Sequence, residues 1–297
     1  MTITGMLPAL LTAYDQAGEV STQRTSALVA ALQAAGFDGY FVTGTSGEYY
    51  LLSPAERLLI LETVAAGAGE AQVVFQVAAS DQREVRQLAR QARDHGATAI
   101  SASIPIYYGY SDESLARYFR DVREASDLPL LGYAIPGFTG RVMGAELLTT
   151  LAAEGTLQGL KYTSSDLAIL AQLRAGAPED FSLLLGSDDL LVAAMSLGAS
   201  GGIGATFNLA PRLYVELYRA HRAGDLAEAR RLQELAVGML GALADGEVYP
   251  MLKSAMRVRG LDVGQSRFPM AQHGPADDQR VAAALDAVEG LEAYLIG

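Results

Sequence analysis

Residues 72–135 read QVVFQVAASDQREVRQLARQARDHGATAISASIPIYYGYSDESLARYFRDVREASDLPLLGYAI. Three short apolar runs, QVVFQVAAS, AISASIPI and LPLLGYAI, enclose two longer amphipathic stretches, DQREVRQLARQARDHG and SDESLARYFRDVREAS. The centres of the runs are continuously apolar rather than alternating. That is the pattern of parallel strands covered on both faces. Each longer stretch opens on Asp or Ser, and the first ends on Gly, which are helix start and stop signals. The segment therefore reads as strand–helix–strand–helix–strand.

The same alternation extends outward in both directions. Upstream lie the strand candidates MLPALLTAY and DGYFVTGT; downstream lie LQGLKYT, FSLLLGS and SGGIGAT. Helix candidates such as STQRTSALVAALQAAG, SPAERLLILETVAAGAG and APRLYVELYRAHRAG sit among them. Eight strand–helix units result, the number that closes a (β/α)8 TIM barrel. A doubly wound open sheet is the alternative, but it calls for a glycine-rich turn after the first strand, and none is present. After Gly224 the strands stop. DLAEARRLQELAVGMLGALADG, EVYPMLKSAMRVRG and PADDQRVAAALDAVEGLEAYL all read as helices. The expected organisation is an α/β barrel over residues 1–224, followed by a C-terminal helical extension over 225–297.

Composition narrows the chemistry. The 297 residues carry a net charge of −12, with no cysteine and three scattered histidines, His95, His221 and His273. Thiolate nucleophiles, disulfides and zinc–thiolate sites are excluded. The acidic balance argues against nucleic acid and anionic membrane surfaces as partners. The N-terminus has no basic residue ahead of its apolar stretch, which Pro8 interrupts, so it does not read as a signal peptide. The uncharged run Leu190–Pro211 is rich in glycine and reads as a buried helix end and a strand rather than a membrane span. The expected location is the cytoplasm. Of the 22 basic residues, only Lys161 and Lys253 are lysine.

In such barrels the chemistry sits at the C-terminal ends of the strands. Strand two ends in Gly44-Thr45-Ser46-Gly47-Glu48. This turn is suited to hold a carboxylate or phosphate with N–H groups and hydroxyls, or it is an ordinary turn with a capping hydroxyl. Strand six ends in Leu160-Lys161-Tyr162-Thr163. Lys161 and Thr163 share one face, either the lumen or the helix layer. Burial disfavours the charged form of an amine, and a neutral amine attacks carbonyls to form imines, which a guanidinium cannot do. A snorkelling or ion-paired lysine is the plainer reading. Tyr133, at the end of strand five, is a candidate general acid or base. Tyr107, Tyr108 and Tyr110 follow strand four and are suited to line a pocket or a subunit contact. Strand seven ends in Gly186-Ser187-Asp188-Asp189, acids suited to bind hydroxyls or a metal, with helix capping the simplest reading. The glycines of Gly201-Gly202-Ile203-Gly204 allow a close approach by a ligand or a neighbouring backbone. Lys253 reads as structural.

Together, GTSGE after strand two, YAIPGFTG after strand five and the GLKYT lysine strand resemble the dihydrodipicolinate synthase / N-acetylneuraminate lyase superfamily. Its members are class I, Schiff-base, pyruvate-handling aldolases on a (β/α)8 barrel. The resemblance covers essentially the whole chain. It implies that Lys161 forms the imine and that Tyr133 shuttles protons. Thr45 and Ser46, with backbone N–H groups that include Gly47, would hold the pyruvyl carboxylate. Tyr107 would reach a neighbouring subunit's site in a homotetramer built as a dimer of dimers, and Ile203 would pack near the pyruvyl methyl group. No metal or cofactor is implied beyond the covalent imine on Lys161.

Within the superfamily, the synthases usually place Arg where this chain has Phe138, and a ring cannot replace a bidentate carboxylate clamp. Arg141 lies three positions on. Other segments resemble the sialate lyase branch: PIYYGYS, KYTSSDL with Thr163, GSDD with Gly186, Asp188 and Asp189, and GGIGATFN. Tyr249 sits where those lyases place an aromatic residue. Asp189 in place of Glu, and Ala205 in place of a hydroxyl residue, depart from that branch at the sugar-tail end. The resemblance thus implies reversible cleavage of a 2-keto-3-deoxy sugar acid, with N-acetylneuraminate a candidate, to pyruvate and an aldehyde. The alternatives are dihydrodipicolinate synthesis, a related keto-acid dehydratase, or a non-catalytic keto-acid-binding barrel.

Overall fold

The computed structural model describes residues 2–297. Its eight strands are β1 (Gly5–Pro8), β2 (Gly39–Val42), β3 (Gln72–Gln76), β4 (Ala99–Ser103), β5 (Leu130–Ala134), β6 (Gly159–Tyr162), β7 (Ser182–Leu185) and β8 (Gly201–Gly204). All pair in parallel in the order β1-β8-β7-β6-β5-β4-β3-β2. The ring closes between β1 and β2, where Ala9 bridges Phe41 and the Leu10 N–H donates to the Phe41 carbonyl at 3.0 Å. The chain is a (β/α)8 barrel, as its alternation predicts.

The strands are shorter than the apolar runs. Of MLPALLTAY, only Met6–Pro8 lies in β1, and Ala9 adds the single bridge to Phe41. Within β8, Gly201 must be glycine because it lies against β1: a Cβ there would fall 1.9 Å from the Gly5 carbonyl oxygen. The close approach is thus to neighbouring backbone.

Twelve helices follow in chain order: α1 (Thr22–Gln33), α2 (Pro54–Ala68), α3 (Gln82–Gln91), α4 (Asp112–Glu124), α5 (Pro136–Thr139), α6 (Ala145–Ala153), α7 (Leu167–Gly176), α8 (Leu191–Ser196), α9 (Pro211–Arg222), α10 (Leu226–Leu243), α11 (Val248–Val258) and α12 (Pro275–Asp286). The predicted starts are physical caps. Ser21, Asp81 and Ser111 each accept a backbone N–H of the first turn, and Ser53 forms a reciprocal capping box with Glu56. The final predicted helical run breaks: α12 ends at Asp286, Gly290 takes a left-handed φ of 83°, and a 3-10 turn follows over Glu292–Tyr294. Among the described residues, no single helix is long and apolar enough to cross a membrane.

Two apolar cores result. The larger lies between the sheet and the helices. The smaller fills the lumen and contains Leu7, Phe41, Val74, Leu131, Tyr133, Leu184 and Ile203. It packs side chains rather than enclosing a pore. Helix α10 packs on α9 and α8, and Gln233 ties it to the loop after β7: its amide N–H donates to the Asp188 carbonyl at 2.9 Å, and its amide oxygen accepts the Val192 N–H at 3.1 Å. Helix α10 and the start of α11 therefore lie over the C-terminal ends of the strands.

Candidate active site

The β5–β6 register places Lys161 directly beside Tyr133. Tyr133 belongs to the lumenal core, so Lys161 faces the lumen and not the helix layer. Its side-chain nitrogen lies 4.2 Å from the centre of the Phe41 ring and 4.3 Å from that of Tyr133. The two rings meet edge to face at 5.8 Å. Lys161 is only 4% exposed, and among the described residues no carboxylate pairs with it. A lysine held against two π faces without a counter-ion is neither snorkelling nor ion-paired.

The Gly44–Glu48 turn approaches Tyr133 from β2. Thr45 Oγ1 and the Tyr133 hydroxyl are 3.2 Å apart and hydrogen-bonded. The turn is folded on itself: Gly47 N–H donates to the Gly44 carbonyl and Glu48 N–H to the Thr45 carbonyl, each at 3.0 Å. The Thr12 hydroxyl pins the Gly47 carbonyl at 2.6 Å. Among the described residues, the N–H groups of Thr45 and Ser46 donate to no other protein group. Two free N–H donors beside two hydroxyls are the kind of donor set that suits an anion. The turn does not serve as a helix cap, because Ser53 caps α2.

Strands β6, β7 and β8 supply a polar wall. A Cβ on Gly186 would fall 1.9 Å from Thr163 Oγ1 and 3.1 Å from Lys161 Cε, so only glycine fits there. Thr163 Oγ1 is buried and has no protein partner. Asp188 accepts the Thr206 N–H at 3.0 Å and the Thr206 hydroxyl at 2.6 Å, and that hydroxyl also meets the Tyr214 hydroxyl. Burial pushes the Asp188 carboxyl above its ordinary range, while the Thr206 hydrogen bonds and Lys161 pull it back. Helix capping, the simplest sequence reading of these acids, is overturned: α8 has Leu190 at its N-cap and no side-chain cap, because Asp188 turns toward Thr206 instead.

These groups line a cavity of about 550 Å³ at the C-terminal mouth of the barrel. Its floor carries Lys161, Tyr133, Ser46 and Ile203, and its polar wall carries Thr163, Gly186, Asp188 and Asp189. Lys161 is its one basic lining residue among those described. Tyr249, half-buried at the start of α11, completes the rim, and burial pushes its phenol upward. Phe138, on α5, stands at the mouth and is 67% exposed. Arg141 does not enter; it pairs with Asp112 at the start of α4. A roomier cleft of about 770 Å³ lies between residues 14–19 and 257–272, but its arginines are already paired, Arg24 with Asp262, Arg257 with Asp278 and Arg267 with Glu56.

The structure thus gathers Lys161, Tyr133, Thr45, Ser46, Gly47, Thr163, Gly186, Asp188, Asp189, Ile203, Phe138 and Tyr249 around one cavity or its supporting turn. Tyr107 stands apart from it: this residue is 91% exposed, with a left-handed φ of 84°, and stacks edge to face on Tyr108. Sequence reasoning missed Thr206, which holds Asp188, and the apolar lip of Val237, Leu240 and Val248 from α10 and α11. Their helical periodicity alone does not say which end of the barrel they cover.

Comparison with known proteins agrees with this fold. Residues 2–288 match the model of the dihydrodipicolinate synthetase family. An N-acetylneuraminate lyase of Lactiplantibacillus plantarum is 34% identical over 270 residues, covering 90% of this chain and 92% of the relative. The solved structure of a Ruminococcus gnavus sialic acid aldolase superposes with a TM-score of 0.93 at 26% identity, over 98% of both chains. A dihydrodipicolinate synthase from Aquifex aeolicus superposes with a TM-score of 0.92 at 25% identity, over 99% of this chain and 100% of that one. On sequence and fold, this chain belongs to the dihydrodipicolinate synthetase family.

Proposed function

We propose that this chain is a class I pyruvate-dependent aldolase, a carbon–carbon lyase that reversibly cleaves a 2-keto-3-deoxy sugar acid to pyruvate and an aldehyde. The observation that carries this reading is the unpaired, buried Lys161 beside Tyr133, whose hydroxyl is bonded to Thr45 of the Gly44–Glu48 turn. The similarity to an N-acetylneuraminate lyase and a sialic acid aldolase makes N-acetylneuraminate the first substrate to test.

These groups support the following steps. The Gly44–Glu48 turn receives the substrate carboxylate with the Thr45 and Ser46 donors. The Lys161 amine attacks the C2 carbonyl carbon, the Tyr133 hydroxyl gives its proton to the departing oxygen, water leaves, and an iminium forms beside the Tyr133 phenolate. The Tyr133 oxygen takes the C4 hydroxyl proton as the C3–C4 bond breaks. The bonding pair passes to the iminium, giving an enamine and a free aldehyde. Tyr133 returns the proton to C3, and water then hydrolyses the imine to release pyruvate. The covalent imine is the electron sink, so the sequence needs no metal or organic cofactor. Thr163 and Asp189 face the remaining hydroxyls from the polar wall.

Dihydrodipicolinate synthesis is the second reading, favoured by the similarity to the Aquifex aeolicus synthase. Against it, the cavity has no basic residue besides Lys161 to grip a second carboxylate, since Phe138 stands at the mouth and Arg141 is held by Asp112. Exposed Tyr107 and Tyr108 suit a subunit contact, and the homotetramer built as a dimer of dimers rests on the family resemblance alone. A substrate panel tests the reading: pyruvate release from N-acetylneuraminate and from simpler keto-deoxy sugar acids, against condensation of pyruvate with aspartate semialdehyde. Lyase turnover well above synthase turnover is expected. Synthase turnover equal to or above it would reverse the assignment.

A further inference from the structure

The second lysine is not an ordinary structural residue. Lys253, on α11, forms an ion pair at 2.6 Å with Glu48, and their side chains are 1% and 0% exposed. Glu48 is the last residue of the turn that begins at Gly44. It sits in the left-handed region at φ 57°, and Thr43 ahead of the turn does so at φ 51°. Both are strained positions for residues with side chains, and such strain persists only where the surroundings hold it.

The surroundings are specific. Glu48 Oε2 accepts the Arg267 N–H at 2.8 Å. Lys253 also donates to the Gln265 carbonyl at 3.2 Å, and its nitrogen lies 4.4 Å from the centre of the Tyr14 ring. The Arg267 guanidinium lies over the same ring at 4.8 Å and donates to the Leu51 carbonyl and to Glu56. The turn is thus clamped through one carboxylate by two groups of the C-terminal extension, the Lys253 ammonium and the Arg267 backbone N–H. Among the described residues, neither Lys253 nor Glu48 lines the cavity. Burial holds the Lys253 ammonium below its ordinary lysine value, and Glu48 opposes that fall.

We infer that Lys253 is a positioning residue: through Glu48 it fixes the turn whose Thr45 and Ser46 donors receive the substrate carboxylate. The inference rests on the aldolase reading. Under it, loss of Lys253 damages carboxylate recognition and leaves the carbonyl chemistry of Lys161 in place. Two carbonyl probes separate these effects. Pyruvate carries the carboxylate, and acetone lacks it.

The experiment measures the concentration of each probe that gives half-maximal borohydride trapping on Lys161, in the wild-type chain and in Lys253→Met. A rise of roughly tenfold or more for pyruvate is expected, equal to the loss of one charge-assisted contact. The acetone value is expected to change less than about twofold. The double variant Glu48→Gln with Lys253→Met, which leaves no unpaired buried charge, is expected to show the same selective loss and serves if the single variant does not fold. Lys253→Arg, which keeps the charge, should recover part of the pyruvate affinity. An unchanged pyruvate value, or parallel loss for both probes, would overturn the inference. Failure of the wild-type chain to trap pyruvate would instead overturn the aldolase reading beneath it.

Discussion

The side-chain nitrogen of Lys161 lies 4.3 Å from the centre of the Tyr133 ring, and the two residues are register partners on β6 and β5. A parallel ladder fixes this juxtaposition, because a one-residue slip would send one of the pair into the helix layer. Any carbonyl carbon bonded to Lys161 is therefore held beside a phenol that already shares a hydrogen bond with Thr45.

Tyr133→Phe keeps the ring that packs against Phe41 and Lys161 but removes the hydroxyl. Turnover is expected to fall by about 10²–10⁴-fold, the range for loss of a positioned acid–base group. Pyruvate trapping on Lys161 should persist. Steady-state rates and adduct mass, measured on the same preparation, check both. Loss of less than about tenfold would remove Tyr133 from proton transfer.

Gly186→Ala places a methyl group 1.9 Å from Thr163 Oγ1 and 3.1 Å from Lys161 Cε. The overpacking is expected to cost about 1–3 kcal/mol and to displace the lysine. Activity should fall, and Thr163→Ala in the same chain should restore part of both losses. Denaturant midpoints with turnover would show it; additive damage in the double variant would contradict the contact.

Much of this arrangement is legible in the sequence, and the limits are physical. Lys161 stands out because the chain uses arginine almost everywhere else. Its face is not legible, because a four-residue strand fixes only that Lys161 and Thr163 point the same way; the register with Tyr133 decides the lumen. The acids after β7 look like helix caps until Thr206, from beyond β8, is brought against Asp188. Lys253 lies on a helix whose pattern says only that it is buried, and its partner Glu48 is supplied from the opposite end of the chain. Local periodicity specifies elements, while these pairings come from closure of the barrel.

The raised carboxyl of Asp188 gives a pH signature. A carboxyl whose folded pKa is raised binds more protons in the native state. Its contribution to stability is therefore fully present below the unfolded value of about 3.9 and is lost as pH rises through the folded value. Asp188→Asn removes this titration. The melting temperature of Asp188→Asn relative to wild type is expected to increase as pH is raised from about 4 toward neutrality. A flat difference across that window would place the carboxyl at its ordinary value.

The Glu48–Lys253 pair also has a stability consequence. Removing one buried partner strands the other charge, at a cost of about 3–5 kcal/mol. Lys253→Met is expected to lose that much, and the double variant Glu48→Gln with Lys253→Met to lose clearly less. Chemical denaturation of the single and double variants measures it. Equal losses would show that the charge on Glu48 is not buried as described.

The most direct test is the site of the covalent adduct. The intact protein is incubated with pyruvate, reduced with borohydride, digested and mapped by mass spectrometry. One adduct on the peptide carrying Lys161 is expected, absent from Lys161→Arg, which cannot form an imine there. A wild-type chain that gains no adduct on Lys161, or that gains it only on Lys253 or the N-terminal amine, would contradict the imine mechanism.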